Sequence, residues 1–203
     1  MAKKSNKTMW ITLGIIGAVI LIILFMVIGT YNGLITTDET INEKWANVQT
    51  AYQRRADLIP NLVDTVQAAV EFEQETHTQI AAVRTSAVAA QQAMKAATTP
   101  AEISAASKQV EGAIAGFSGI NINVERYPDL KATENFLSLQ DELAGTENRI
   151  KVERDIFNKA VKNYNLRVRR FPSNIIAGMF GFGIKEMFEA DAGTDVTPKD
   201  LFE

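Results

Sequence analysis

Residues 9–28 read MWITLGIIGAVILIILFMVI, twenty positions without a charge, inside an uncharged stretch that runs from residue 8 to residue 37. About 20 apolar residues at 1.5 Å rise match the roughly 30 Å hydrocarbon core of a bilayer. A helix apolar on every face is also out of character for a soluble domain, where one face stays polar. The pattern predicts a transmembrane helix, marked along its length by Trp10, Ile15, Ile20, Leu24 and Ile28. A cleaved signal peptide would carry a shorter apolar region, about 7–15 residues, before a small-x-small site. Residues 26–32 read MVIGTYN and offer no Ala-x-Ala. The chain has no cysteine, so it has no lipoprotein anchor either. The segment therefore reads as a retained anchor.

Beyond it the apolar period becomes helical. Leu34, Ile41, Trp45, Val48 and Tyr52 are spaced by 7, 4, 3 and 4, and neither proline nor glycine interrupts residues 34–59. The anchor helix can run straight into this one. Pro60 predicts a break or kink, because proline removes a backbone donor and disfavours the helical region at Ile59. A second helix is expected over 61–97, with Leu62, Val66, Val70, Ile80, Val83, Ala87 and Met94 on its stripe. Thr99, Pro100 and Glu102 form a start signal: N-cap, first-turn proline and capping box. They open a third helix over 100–115 that buries Ile103, Val110 and Ile114. Gly116, Gly119, Asn121 and Asn123 predict a loop over 116–128.

The last long helix, 129–171, carries Phe136, Leu143, Ile150, Phe157, Tyr164 and Phe171 at a strict interval of seven. Four positions further on, the register reads Gln140, Glu147, Arg154, Val161 and Val168. A two-stranded zipper favours apolar residues there, so a helix of four-helix-bundle type fits better. Pro172 ends it. In the tail Ile175, Ile176, Met179, Phe180, Ile184, Met187 and Phe188 share a helical face. About 14 residues are too few to cross a bilayer. The segment is expected to fold back on the bundle, with a membrane surface as the alternative. Ile176, Met179, Phe180, Ile184, Met187 and Phe188 are its candidate interaction surface.

Charge orients the anchor. Lys3, Lys4 and Lys7 precede it, whereas only Lys44 lies in the first twenty residues after it, beside Asp38, Glu39 and Glu43. The positive-inside rule places the N-terminus in the cytoplasm and the rest of the chain outside it. Taking those three lysines out of the net −3 leaves −6, too acidic for a broad nucleic-acid footprint. One local exception is residues 149–170, with eight basic side chains against Glu153 and Asp155. Such a stretch reads first as a solvated helix face, with attraction to anionic headgroups near a bilayer as the alternative.

Candidate chemistry is sparse. Without cysteine there is no thiol nucleophile, zinc–thiolate site or iron–sulfur cluster. The single histidine, His77, shares a helix face with Glu73, but a di-metal bundle site needs two Glu-x-x-His pairs. No phosphate loop, dinucleotide turn or nucleophile elbow is present. We expect no catalytic residues, no metal and no cofactor. Arg54, Arg55 and Asp57 are expected to pair with inward acids such as Glu147, with headgroup or ligand binding as the alternative.

These motifs resemble the LemA family of bacterial membrane-anchored helical proteins. The likeness is carried by Tyr31-Asn32, by Trp45 with Val48, and by Arg54-Arg55-Ala-Asp57-Leu-Ile-Pro60-Asn61-Leu-Val63. Tyr127-Pro128-Asp-Leu, Thr146-Glu147, Tyr164-Asn165 and Phe171-Pro172 complete it. It spans nearly all of residues 9–190 and departs at Phe157-Asn158, where a tyrosine is expected before the asparagine. The resemblance implies an all-α fold, an N-terminal transmembrane helix followed by an antiparallel four-helix bundle with long helices, and a structural role for those motif residues. It implies no established reaction. One relative linked to magnetosome membranes points by analogy to shaping or organising membranes.

The expected organisation is a basic segment over 1–8, the span over 9–28, the bundle over 29–172, and an amphipathic and acidic tail over 173–203. The expected function is a non-enzymatic scaffold in the bacterial inner membrane, in contact with lipid and self-associating as a homo-oligomer. The alternative is an extracytoplasmic binding or sensory module for a cell-envelope or membrane-protein partner. A metal-dependent enzyme centred on His77 stands third.

Overall fold

The computed structural model describes residues 6–69, 74–119 and 134–189, with side-chain positions for 9–67, 78–116 and 137–189. All regular structure among these residues is α-helical. The helices are α1 (Asn6–Ala69), α2 (Gln74–Ala96), α3 (Pro100–Gly119), α4 (Glu134–Arg169) and α5 (Ser173–Phe180).

The apolar run and the first stripe form one 64-residue helix, and Pro60 lies inside it. The break expected at Pro60 does not occur. Proline within a helix costs about 3 kcal/mol. Around it, Ala56, Leu58, Ile59, Leu62 and Val63 are all buried. Full burial of a large aliphatic side chain is worth roughly 1.5–3 kcal/mol, so four such residues outweigh the lost hydrogen bond. The helix is held by packing on both sides of its weak point.

The start of α3 forms as its sequence predicts. Glu102 N–H donates to Thr99 Oγ1 at 3.2 Å, and Glu102 Oε2 accepts from the backbone N–H of Thr98 and Thr99 at 2.7 and 3.1 Å. These donors hold the Glu102 carboxyl below its ordinary value of 4.5. The helix runs on to Gly119, past the loop expected from residue 116. A Cβ on Gly116 would sit 3.0 Å from Val83 Cγ2, so this glycine makes room for α2 rather than a turn. Residues 120–128, including Tyr127 and Pro128, lie outside the described residues.

Along α4, Leu143, Ile150, Phe157, Tyr164, Val161 and Val168 are buried, while Gln140, Glu147 and Arg154 are half-buried. Phe171 falls out of the register. The helix ends at Arg169, and the Phe171 side chain stands 76% exposed. The tail is not one long amphipathic helix. α5 has eight residues and stops at Gly181, which adopts φ 77°, a region that costs other residues about 1–2 kcal/mol. Phe182 N–H closes this end on the Ala177 carbonyl at 2.9 Å, and residues 182–189 continue without regular structure.

The chain divides into two compact units. The first comprises Met1–Asn42 and Ala160–Lys185; the second comprises Glu43–Lys159 and Glu186–Glu203. In the first, α1 and α4 run antiparallel, with Gly33 against Arg167, and Leu34, Ile41, Val161, Tyr164, Val168, Ile176 and Ala177 are buried. In the second, four helical segments form a bundle. Arg54 meets Glu142, Asp57 meets Gln91, Asp64 meets Arg84, and Val83 abuts Gly116; falling residue numbers against rising ones mark antiparallel neighbours.

Candidate functional site: a bare anchor helix and a clamped tail

The anchor residues share one environment. Trp10, Ile15, Ile20, Leu24 and Ile28 all point outward from α1, from 69% exposed at Trp10 to 47% at Ile28, and no part of the apolar window is buried within the chain. This helix is long and apolar enough to cross a membrane. Hydrocarbon is the solvent that accepts such a surface, since every backbone group is already bonded within the helix.

Just past the apolar run, the first unit builds a collar. The Tyr31 ring lies 4.8 Å from that of Phe180 and 5.8 Å from that of Phe182. Arg167 Nη1 donates to the Gly33 carbonyl at 2.6 Å. A Cβ at residue 33 would come within 2.7 Å of that nitrogen, so glycine gives the guanidinium its access to the helix backbone. Asn32 is exposed. The Asp38 carboxylate pairs with the Lys185 ammonium, which also lies 5.6 Å above the Tyr164 ring. Burial, and then the Asp38 charge, push the Tyr164 phenol above its ordinary 10.0.

The tail is held by two asparagine side chains on α4. Asn165 donates through Nδ2 to the Lys185 carbonyl at 2.8 Å and accepts from the Lys185 N–H at 2.9 Å. In the second unit Asn158 does the same for Phe188, at 3.0 and 2.9 Å. Each carboxamide thus reads an irregular backbone as a neighbouring strand would. Phe188 closes an aromatic cluster, with ring centroids 5.9 Å from Trp45, 5.6 Å from Phe157 and 6.4 Å from Tyr52. Arg154 caps its face at 5.0 Å and donates to the Glu189 carbonyl at 2.6 Å.

Two members of the expected interaction surface, Ile176 and Phe188, are therefore buried in the chain itself. Met179, Phe180, Ile184 and Met187 remain exposed. Pro172 precedes α5, and the Phe171–Pro172 peptide is cis.

The charged motif is wired differently from expectation. Arg54 donates through Nε and Nη2 to Glu142 Oε1, at 3.0 and 2.5 Å, not to Glu147. Arg54 sits on the exposed rim, where the outer Glu142 is within reach. Asp57 accepts from Gln53 at 2.9 Å and from Gln91 at 2.6 Å, tying α1 to α2. Among the described residues, Arg55 Nε and Glu147 Oε2 are buried without a hydrogen-bond partner. Beside this motif lies an open cleft of about 490 Å³, lined by Gln53, Arg54, Asp57, Asn61, Met94 and Lys95 among others. The His77 side chain lies outside the described residues. Among those described, no three acidic or histidine side chains converge as a metal site would require.

The family model described as "LemA family" matches residues 44–202. The chain belongs to the LemA family. Its relatives include magnetosome protein MamQ 2 of Paramagnetospirillum magneticum, 27% identical over 192 residues, covering 85% of this chain and 70% of the relative. Magnetosome protein MamQ of Magnetospirillum gryphiswaldense is 28% identical over 191 residues, with the same coverage. Protein LemA of Metamycoplasma hominis is 26% identical over 153 residues, covering 75% of this chain and 66% of the relative. This LemA-family chain is thus a membrane-associated helical protein. The aromatic–asparagine pairs that mark its sequence, Phe157-Asn158 and Tyr164-Asn165, have a common use: a buried ring next to a clamp on the tail. Their interval of seven was visible in the sequence. Of their partners, Phe188 is expected on the helical interaction face of the tail, whereas Lys185 is not singled out. Gly33 carries no sequence signal, Arg167 stands out only within the basic stretch 149–170, and Glu142 only within the family motif Leu139-Gln-Asp-Glu142-Leu143.

Proposed function

We propose that this chain is a single-pass, non-enzymatic membrane protein that self-associates through its tethered bundle into a scaffold organising or shaping the membrane. The observation that carries this reading is the continuity of α1. One helix, α1, carries the bare apolar run and also supplies Val48, Tyr52, Ile59 and Val66 to the core of the bundle. Gly14, Gly17 and Ala18 add a small-residue patch on the anchor, where a Cβ on either glycine would meet no other part of the described chain within 4 Å. Small residues of this kind let spans approach closely in lipid. The names of the magnetosome relatives agree with a role at a membrane. The charge asymmetry supports an inner-membrane span with the N-terminus in the cytoplasm and the bundle outside.

The test is the mass of the full-length protein in mild detergent beside a version starting at Leu34. A large discrete assembly that collapses without the anchor is expected. Monomers in both samples overturn the scaffold.

A binding or sensory module is the second reading, favoured by the open cleft at Arg54 and Asp57. Cross-linking in cells from Lys95, on the cleft wall, distinguishes the two. Adducts with an envelope protein support binding; adducts with this chain alone support the scaffold.

A further inference from the structure

The first unit carries an apolar surface that its own folding leaves uncovered. On α5, Ile176 and Ala177 face inward and are buried, while Ile175, Met179 and Phe180 face outward. Phe171 and Ile184 flank them and are also exposed, Phe171 by 76% and Met179 by 74%. Five large apolar side chains so exposed within fourteen residues are an interaction surface, not ordinary scatter. The charge around them is mainly basic, with Lys185 paired to Asp38. Residues 160–185 contain Lys162, Arg167, Arg169, Arg170 and Lys185 and no acidic residue. The position is also fixed. The Phe180 ring lies against Tyr31, only three residues past Ile28, or about 4.5 Å along the helix axis. The Arg167 bond to Gly33 holds the end of α4 at the same level.

From this we infer that α5 and its flanks lie on the bilayer surface beside the emerging anchor, with Phe171, Ile175, Met179, Phe180 and Ile184 at the headgroup–acyl boundary and Arg169 and Arg170 on anionic headgroups. The inference rests on the reading that residues 9–28 cross the membrane. The occupant is lipid because the patch is continuous with the lipid-facing helix and carries the opposite charge to an anionic leaflet. An amphipathic segment with aromatic and aliphatic residues on one side and arginines beside them is what an interface binds. Tyr31 then sits at headgroup level, where amphipathic rings gather.

The chain has no native cysteine, so single substitutions can be labelled cleanly. Full-length Met179→Cys, carrying an environment-sensitive fluorophore, is reconstituted in phosphatidylcholine vesicles with and without phosphatidylglycerol. Ile20→Cys reports the span, and Leu137→Cys, exposed on α4, reports the bundle. With phosphatidylglycerol, the label at 179 should shift to the blue, be quenched by spin-labelled lipid and be shielded from iodide. The label at 137 should stay open to iodide. Arg169→Gln with Arg170→Gln should return the label at 179 to its behaviour in neutral vesicles. A label at 179 open to iodide in both vesicle types overturns the inference. So does one shielded from iodide yet untouched by the lipid quencher, which would mean that protein covers the patch. Failure of the lipid quencher at residue 20 would instead overturn the spanning reading beneath it.

Discussion

Asn158 and Asn165 each use both halves of a carboxamide, one oxygen accepting and one nitrogen donating, on a single residue of the tail. A net contribution of about 1 kcal/mol per hydrogen bond makes each clamp worth about 2 kcal/mol, since removing it also strands a backbone donor and acceptor. Asn165→Ala should therefore lower unfolding stability by about 2 kcal/mol and expose the Lys185 amide to hydrogen exchange; a Lys185 amide that stays protected refutes the clamp. Tyr164 gives a second expectation at this scale. The residue is 1% exposed, and burial and Asp38 raise the pKa of its phenol in the folded state. The neutral form is thus favoured by folding. The associated stability is complete below pH 10, the unfolded value, and is lost as pH rises through the higher folded value. In alkaline unfolding series, wild type should lose stability above pH 10 more steeply than Tyr164→Phe. Parallel curves would mean that the phenol titrates alike in both states.

At the scale of elements, period carried most of what could be read. The interval of seven in α4 correctly assigned Leu143, Ile150, Phe157 and Tyr164 to the interior, and the Thr99–Glu102 box located the start of α3. The errors came where a local signal met tertiary packing. Pro60 has a strong intrinsic effect, but Ile59, Leu62 and Val63 are buried next to it, and a break would have exposed them. Gly116 and Gly33 resemble flexible residues in sequence, yet each is a clearance for one opposing side chain, Val83 or Arg167. Only the opposing element reveals that. The account of Pro60 can be tested directly. Pro60→Ala restores a helix donor and removes the ring, and so should raise stability by up to about 3 kcal/mol in denaturant unfolding. A loss of stability would show that the ring itself packs usefully at this half-buried position.

At the scale of the whole molecule, the sequence marks the anchor plainly, because a bilayer demands a run that no soluble helix needs. The candidate site was legible only in part. Its aromatic and asparagine residues stood out, whereas the surface they shape depends on where the tail lands. The proposed placement of the bundle outside the cytoplasm rests on three lysines before the span against one in the twenty residues after it. Basic residues resist transfer to the outer face, and no second candidate span follows among the described helices. Leu137, exposed on α4, gives a site to read the outcome. In intact spheroplasts, Leu137→Cys should react with a membrane-impermeant maleimide added from outside. Changing Lys3, Lys4 and Lys7 to glutamine removes the bias, and labelling before lysis should then fall. Labelling of the Leu137→Cys protein only after lysis would place the bundle in the cytoplasm. The positive-inside argument would then be wrong for this chain, and the basic stretch of α4 would face the cytoplasmic leaflet instead.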